Sequence, residues 1–400
     1  MQKSSFVIKP WQALLALILV NLIFALFIGD QFGQAWDEPS YYLYGERSFD
    51  AYMRGLSGQP LIPEKHIYFI DLRYYGPVYT AMGWKFANTL TSVLSNWSYP
   101  DIWHLVNFGL FQISLIALYS LAKRFLNEWT AFGIVLLFST QPLLLGHAFI
   151  NPKDIPFMTF FLVSIVLGLT MADALAKREV DKSNPNYAFF VAILFGLFIF
   201  TFIGKDVFES LIGSAVTYFY NAAPSTFGGR LFALLVDNTN RLPVENYIHK
   251  AVAAHLERAA LILVFIPVAA QKAYADFKQT GRMKIFSTLA LKIYSLVFVA
   301  GMLLGLSTSI RLLAPMAGVL IAGYAIWTGG RKALPALIVY FALAALASYL
   351  TWPFLWDSPT FHFLEAFQVM RDFPFTGEVR FMGDNIAPTD LPWFYVPFLI

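Results

Sequence analysis

The sequence contains no cysteine, and few of its 400 residues are charged. The absence of cysteine excludes disulfides, thiolate nucleophiles and cysteine metal ligands, but it does not identify the compartment. Charged residues make up 13% of the chain, about half of the roughly 25% that is usual in soluble domains. With 58% hydrophobic residues and a mean hydropathy of +0.59, the chain offers too little polar surface for water, so we predict an all-α polytopic membrane protein.

Long apolar runs occur throughout the chain, and nine of them reach or approach the length of about 20 residues that a spanning helix needs. The nine predicted spans are Trp11–Gly29, Ile102–Leu121, Trp129–Leu145, Ile155–Met171, Tyr187–Ile203, Ala259–Tyr274, Phe286–Leu306, Leu312–Trp327 and Leu334–Leu350. A tenth run begins at Trp393 and reaches Ile400 without a stop signal, so we expect a truncation inside a helix. No small-residue cleavage site follows the first run, which favours a retained span over a signal peptide. We expect residues 1–400 to form a single transmembrane domain.

Basic residues are distributed unevenly between the predicted spans. If the N-terminus is cytoplasmic, every short inner connection is basic, whereas the short outer connections hold only Lys153 and Arg311. This asymmetry fits the positive-inside rule and sets the predicted orientation. The net charge is only +3 and no basic stripe alternates with aromatic residues, which excludes nucleic acid as a partner. We expect a multi-pass protein of the bacterial inner membrane, or of the ER membrane if the source is eukaryotic.

Three long segments lie on the predicted outer side, at residues 30–101, 204–258 and 351–391. The first contains Pro39, which is typical of a helix start. It also contains Val78–Leu90, which is apolar but short for a span and suits a helix that lies in the membrane interface. All six histidines fall on the outer side or at its edge. We therefore expect the functional site at the outer face.

Two carboxylates, Asp37 and Glu38, directly follow the first predicted span and precede Pro39. A carboxylate here can act as a general base if it is ionised and within hydrogen-bond reach of an acceptor hydroxyl. An acidic residue before proline can equally cap a helix and complement its dipole, and position alone favours this second role.

Two cations stand in tight predicted outer turns. Lys153 could neutralise a phosphate, with Asp154 and Asn151 beside it to orient the ligand, and Asp154 could help to hold a divalent metal. Alternatively, Asp154 caps the next helix and Lys153 faces lipid headgroups. Arg311 stands at a helix start, against the helix dipole, so we expect an anionic partner. That partner is either a structural carboxylate or a phosphate, and phosphate is favoured because arginine can bind it through two hydrogen bonds.

Further residues are weaker candidates for contact with a substrate. They are Tyr41, Arg73 and Asp384, and for Asp384 the sequence favours an ordinary solvated loop over contact with a substrate. No histidine pair has a recognisable ligand spacing, so the identity of any metal is left open.

The order of these motifs along the chain resembles the GT-C membrane glycosyltransferases, in particular the protein O-mannosyltransferase and aminoarabinose transferase group. The matching segments are Asp37–Glu38, Arg73–Pro77, Gly146–Asp154, Trp352–Trp356 and Leu391–Tyr395. The resemblance implies a GT-C-like transmembrane helix bundle with interfacial helices in its outer loops. It also implies that Asp37 is catalytic, with Glu38 beside it. The implied reaction is inverting transfer of a sugar from a polyprenyl-phosphate-linked donor to a protein, lipid or glycan hydroxyl.

Two other functions compete with this interpretation. A transporter or lipid flippase would show polar residues at the membrane midplane, broken helices and repeat symmetry, and the sequence shows none of these clearly. A non-catalytic membrane subunit that only binds lipid is the second alternative. Sugar transfer in purified membranes distinguishes the enzyme from both.

Overall fold

The computed structural model describes residues 8–94, 96–177, 187–235, 242–256, 288–372 and 377–399. Within these ranges the chain is almost entirely helical. The one sheet found there is an antiparallel hairpin of β1 (Val379–Phe381) and β2 (Asp384–Ile386). The prediction of an all-α protein is confirmed for the described part of the chain.

The helices follow the apolar and amphipathic runs of the sequence. In chain order they are α1 (Pro10–Ile28), α2 (Glu38–Leu56), α3 (Pro63–His66), α4 (Val78–Thr91), α5 (Tyr99–Ala122), α6 (Glu128–Thr140), α7 (Pro142–Ile150), α8 (Asp154–Ala176), α9 (Tyr187–Ile203), α10 (Lys205–Asn221), α11 (Phe227–Leu235), α12 (244–256), α13 (Thr288–Thr308), α14 (Pro315–Gly329), α15 (Leu334–Thr351), α16 (Pro359–Arg371) and α17 (Tyr395–Leu399). Polar side chains mark several of the starts. Ser98 accepts the Asp101 N–H at the start of α5, and Asn127 accepts the Thr130 N–H at the start of α6.

Among the described residues, four stretches are long and apolar enough to cross a membrane, as judged by length and composition: Pro10–Gln31, Tyr99–Ala122, Asp154–Ala176 and Pro315–Thr351. A fifth is added if α6 and α7 form one broken span. These helices are compatible with an integral membrane protein. The predicted span Ala259–Tyr274 and the first residues of the predicted span Phe286–Leu306 lie outside the described residues.

The stretch Pro315–Thr351 folds back on itself. Gly330, with φ at +60°, ends α14 in a conformation that favours glycine. A Cβ atom on Gly318 would lie 3.0 Å from the Phe341 ring, although the two residues would be about 35 Å apart in a straight helix. Helices α14 and α15 therefore form an antiparallel hairpin, as expected for two separate spans.

The predicted span Trp129–Leu145 is wrong as a single straight helix. It is divided into α6 and α7, which are bent by 65°. Gln141 precedes Pro142 and has an extended backbone, with φ −66° and ψ 120°. Proline disfavours the helical conformation of the residue before it, which accounts for the break at Gln141.

Small residues bring the central helices close together. Gly305 on α13 lies against α15, where an added Cβ would be 2.6 Å from the Cβ of Ala347. An added Cβ on Gly301, one turn earlier, would be 2.8 Å from the carbonyl oxygen of Tyr340. This is the Gly-x-x-x-Gly spacing that allows close packing of membrane helices, and α8 and α14 join α13 and α15 in one buried core.

A polar cluster joins the C-terminal ends of α5, α8 and α14. Arg124 donates to the Asp173 carboxylate at 2.7 Å, and the Tyr324 hydroxyl donates to the same carboxylate at 2.9 Å. Because α8 begins at Asp154, the residues that begin α8 and α14 lie at the opposite end of this bundle. That second end contains the candidate site.

Candidate functional site

A narrow cleft opens where α2 and α4 meet the α7–α8 turn and the α13–α14 turn. It is lined by Tyr41, Tyr44, Tyr75, Gly76, Tyr79, Thr80, Pro152, Lys153 and Ile310. Four of these nine residues are tyrosines, so the walls combine aromatic faces with hydroxyl groups. Aromatic faces can stack against a sugar ring, but the hydroxyls of Tyr44 and Tyr79 are already engaged, with the carbonyl of Tyr75 and with Asn107 Oδ1, respectively.

Two loops far apart in sequence meet at the floor of the cleft. An added Cβ on Gly76 would overlap the backbone carbonyl of Ser309, so only glycine allows this approach. The Tyr44 hydroxyl donates to the carbonyl of Tyr75 at 2.6 Å, which fixes the loop against α2. Residues 73–77, 309–311 and the start of α2 are therefore held as one unit.

The two predicted cations both lie near the ring of Tyr75. Lys153 Nζ lies 5.3 Å from the ring centroid, and Arg311 Cζ lies 5.8 Å from it. Arg311 Nη2 also contacts Asp154 Oδ1 at 2.5 Å, whereas Lys153 makes no ion pair with any residue in the described ranges. Of the two expected anionic partners for Arg311, the structure supplies a carboxylate, and one cation is left free to bind an anion.

Asn151 organises the turn that carries Lys153 and Asp154. Its Oδ1 accepts the backbone N–H groups of Lys153 at 3.1 Å and Asp154 at 2.8 Å. Its Nδ2 donates to Asp154 Oδ2 at 3.0 Å. Asn151, and not Asp154, therefore satisfies the first N–H groups at this helix start, and the Asp154 carboxylate is turned toward Arg311.

Asp37 occupies the position that precedes α2, but its side chain makes no capping hydrogen bond and is exposed. One turn further on, burial raises the pKa of the Tyr41 hydroxyl well above its usual range, and the nearby Tyr75 and Asp37 add to this effect while Arg311 opposes it. Asp37 and Arg311 both act on the same hydroxyl, so both lie near Tyr41. Tyr41 therefore stays a neutral phenol that can donate a hydrogen bond.

Glu38 lies in a different environment from Asp37. Both Glu38 and His104 have fully buried side chains, and Glu38 Oε1 lies 3.1 Å from His104 Nε2. Glu38 Oε2 also accepts the N–H of Ala35 at 2.8 Å. Glu38 was grouped with Asp37 as catalytic, but its carboxylate joins α2 to α5 and does not line the cleft. No sequence signal linked Glu38 to His104.

The structure does not bring Arg73 or Asp384 to Lys153 and Arg311. Arg73 donates to the Tyr74 hydroxyl at 2.8 Å, and that hydroxyl donates to Glu365 at 3.1 Å. Arg73 is thus turned toward α16, although the neighbouring Tyr75 lines the cleft. Asp384 is exposed at the start of β2, and no contact in the described part of the chain joins it to the cleft.

The site contains no evident set of metal ligands among the residues that the structure describes. No three histidine, aspartate or glutamate side chains converge there in the manner of a metal centre. The histidine in α7, His147, lies with its Nδ1 3.2 Å from Asn151 Nδ2. The requirement for a divalent metal therefore stays an open prediction.

Known proteins do not extend this description. No protein-family model, no curated protein and no solved structure matches the chain. The chemistry of the cleft is therefore argued from its own residues.

Proposed function

We propose that the protein is a membrane glycosyltransferase that moves a sugar from a polyprenyl-phosphate-linked donor to an acceptor hydroxyl. The observation that carries this proposal is that Lys153 and Arg311 both lie near the ring of Tyr75, which lines a tyrosine-rich cleft, and that Asp37 and Arg311 both act on the Tyr41 hydroxyl of the same cleft. The helices form a GT-C-like transmembrane bundle in this proposal, and the cleft faces the non-cytoplasmic side.

The cations are suited to the phosphate of the donor. Lys153 is not engaged by any carboxylate within the described residues, and lysine binds phosphate as a point charge. Arg311 adds a planar group that can hold two phosphate oxygens. When the sugar leaves, negative charge grows on the phosphate, and cations already in place stabilise that charge without reorganisation.

The edge of the cleft is also suited to a lipid tail. Leu313 and Met316 follow Arg311 and are more than half exposed, at 54% and 57%. Large exposed apolar side chains directly beside a cation suit a ligand with an anionic head and a hydrocarbon chain. In the proposed complex the isoprenoid chain lies against the start of α14.

Asp37 is the proposed general base. The acceptor oxygen attacks the anomeric carbon, and its proton passes to the Asp37 carboxylate. The bond between that carbon and the phosphate oxygen breaks, and its electron pair leaves with the polyprenyl phosphate. Attack opposite the leaving group inverts the configuration of the sugar.

Incubation of the purified protein with a panel of polyprenyl-phosphate sugars, followed by mass analysis of products, tests this function. Asp37→Asn is expected to lower kcat by about 10²–10⁴-fold, the usual contribution of a general base. Asp71→Asn is the matched control, because Asp71 is an exposed carboxylate in the same outer segment. An unchanged rate in Asp37→Asn would remove the base assignment.

Transport of a lipid or solute is the alternative function, and one observation favours it. The 65° bend between α6 and α7 is a broken helix next to the cleft, as transporters often have. Reconstituted vesicles that move a fluorescent polyprenyl phosphate between leaflets, with no sugar transfer by any member of the panel, would favour this alternative.

A further inference from the structure

The ion pair between Arg311 and Asp154 lies inside the proposed phosphate subsite and can be reached from outside. The two side chains are in contact at 2.5 Å, and they are 29% and 55% exposed, respectively. Arg311 Nε is buried and has no hydrogen-bond partner among the described residues. The guanidinium is therefore shared with an internal carboxylate before any ligand binds.

The formal charge of this subsite is smaller than its two cations suggest. Lys153 and Arg311 contribute two positive charges, and Asp154 removes one of them. Asp37 lies near Tyr41 but makes no ion pair with either cation within the described ranges. Asn151 Nδ2 holds Asp154 Oδ2 at 3.0 Å, which keeps the carboxylate at this place.

The phosphate of the proposed donor changes its charge during the reaction. A polyprenyl-phosphate sugar is a phosphodiester with one negative charge. Once the anomeric carbon–oxygen bond has broken and the proton has passed to Asp37, the product is a phosphate monoester, which carries close to two negative charges at neutral pH because its second pKa is about 6. A fixed negative charge near this phosphate repels the product about twice as strongly as the donor.

We infer that Asp154 weakens the subsite's attraction for the dianionic monoester product more than its attraction for the diester donor, and so speeds product release. Asp154 contacts the phosphate-binding arginine and not the reacting atoms, so it is a positioning and charge-setting residue. This inference rests on the proposed function, because it requires a phosphate ligand that gains charge. It assigns to Asp154 control over product release.

The test compares the binding of two probes to the purified full chain. Farnesyl phosphate represents the monoester product, and farnesyl methyl phosphate represents the diester. Asp154→Asn is expected to tighten the binding of farnesyl phosphate on the order of tenfold and that of the diester by about threefold. Asp372→Asn is the matched control, because Asp372 contacts Arg371 at 2.6 Å on the exposed surface and lies outside the cleft lining, and both affinities are expected to stay unchanged.

The possible outcomes separate this inference from the proposed function. Suppose that the wild type binds both probes and that Asp154→Asn binds each of them no more tightly than the wild type does. The inference is then overturned, and the proposed donor class stands. If neither probe binds the wild type or any variant, both fail. Inorganic phosphate that competes as strongly as farnesyl phosphate would also overturn both, since the ligand would then not be lipid-linked. Asp154→Ala is a second variant that removes the same charge. Thermal unfolding of each variant in detergent checks that it is folded.

Discussion

Lys153 and Arg311 differ in their surroundings, although both carry a positive charge beside Tyr75. Arg311 is already paired with Asp154 at 2.5 Å, whereas Lys153 Nζ lies over the aromatic ring and makes no ion pair in the described ranges. A single unpaired cation at a cleft is the group that an anionic ligand can bind without displacing anything. In the proposed function, Lys153 is therefore the residue that first contacts the donor phosphate.

Removing the charge of Lys153 tests this assignment at the scale of one residue. Lys153→Met keeps the apolar stem of the side chain and is expected to lower kcat/KM by about 10²-fold, the loss typical of one preorganised donor at a developing charge. Lys332→Met is the control, since Lys332 is exposed on the connection between α14 and α15. Steady-state kinetics with the accepted polyprenyl-phosphate sugar measure both. Equal kinetics in the two variants would contradict the role of Lys153.

A second residue-scale prediction concerns acid stability. Hydrogen bonds from His66 and Lys65 hold the pKa of the Asp50 carboxyl well below its usual range. Because the pKa is lower in the folded than in the unfolded state, the stabilisation is fully present above the unfolded value of about 3.9 and is lost as the pH falls below it. The thermal midpoint of the wild type is expected to fall with pH below about 4, and Asp50→Asn to flatten this dependence.

Differential scanning fluorimetry across this pH range measures the effect. Asp372→Asn is the control here too, because it removes an exposed carboxylate from a pair with Arg371 that lies outside this cluster. If Asp50→Asn and the wild type lose stability in parallel on acidification, the ion cluster of Asp50 does not carry the acid dependence.

At the scale of helices, apolar run length predicted most elements but not their breaks or partners. Tyr187–Ile203 and the start of α15 agree with the predicted bounds, because long apolar runs in a bilayer have few other solutions. The division of the third span at Gln141 was missed, since the apolar run continues through Pro142. The Gly301 and Gly305 contact was missed as well, because a glycine spacing does not name the helix that packs on it.

The packing of α13 on α15 supplies the prediction for this scale. Gly305→Val places a branched side chain where an added Cβ already comes within 2.6 Å of Ala347, and overpacking of this kind costs about 1–3 kcal/mol or more. Gly323→Val on α14 is the control, because an added Cβ there meets nothing within 4 Å. Thermal unfolding in detergent is expected to show a lower midpoint for Gly305→Val alone. A similar loss in both variants would point to glycine flexibility instead of close packing.

At the scale of the whole molecule, the two ends of the bundle differ in chemistry. The cluster of Arg124, Asp173 and Tyr324 closes one end with internal partners. The other end carries the cleft with Lys153, which makes no ion pair with the residues that the structure describes. The asymmetry of basic residues in the sequence predicted which end faces the cytoplasm, but a sequence does not show that Lys153 and Arg311 lie near the same tyrosine ring, because long-range contacts have no local signal.

The absence of cysteine makes the predicted orientation simple to test. A single thiol introduced by Asp71→Cys is expected to react with a membrane-impermeant maleimide on intact cells, since Asp71 belongs to a predicted outer segment and is exposed. Lys332→Cys is expected to react only after permeabilisation. If Lys332→Cys reacts on intact cells and Asp71→Cys reacts only after permeabilisation, the predicted orientation is wrong and the cleft faces the cytoplasm.

The contact of Gly76 with Ser309 also has a consequence for biosynthesis. Residues 73–77 leave the ribosome more than two hundred positions before Ser309, and the anion-binding side of the cleft has no Arg311 until the later segment follows. A nascent chain that has inserted only its first helices already carries Asp37 but lacks one wall of the cleft. The contact between Gly76 and Ser309 therefore forms late in synthesis. In the proposed membrane protein, the cleft is complete only when most of the helices have been inserted.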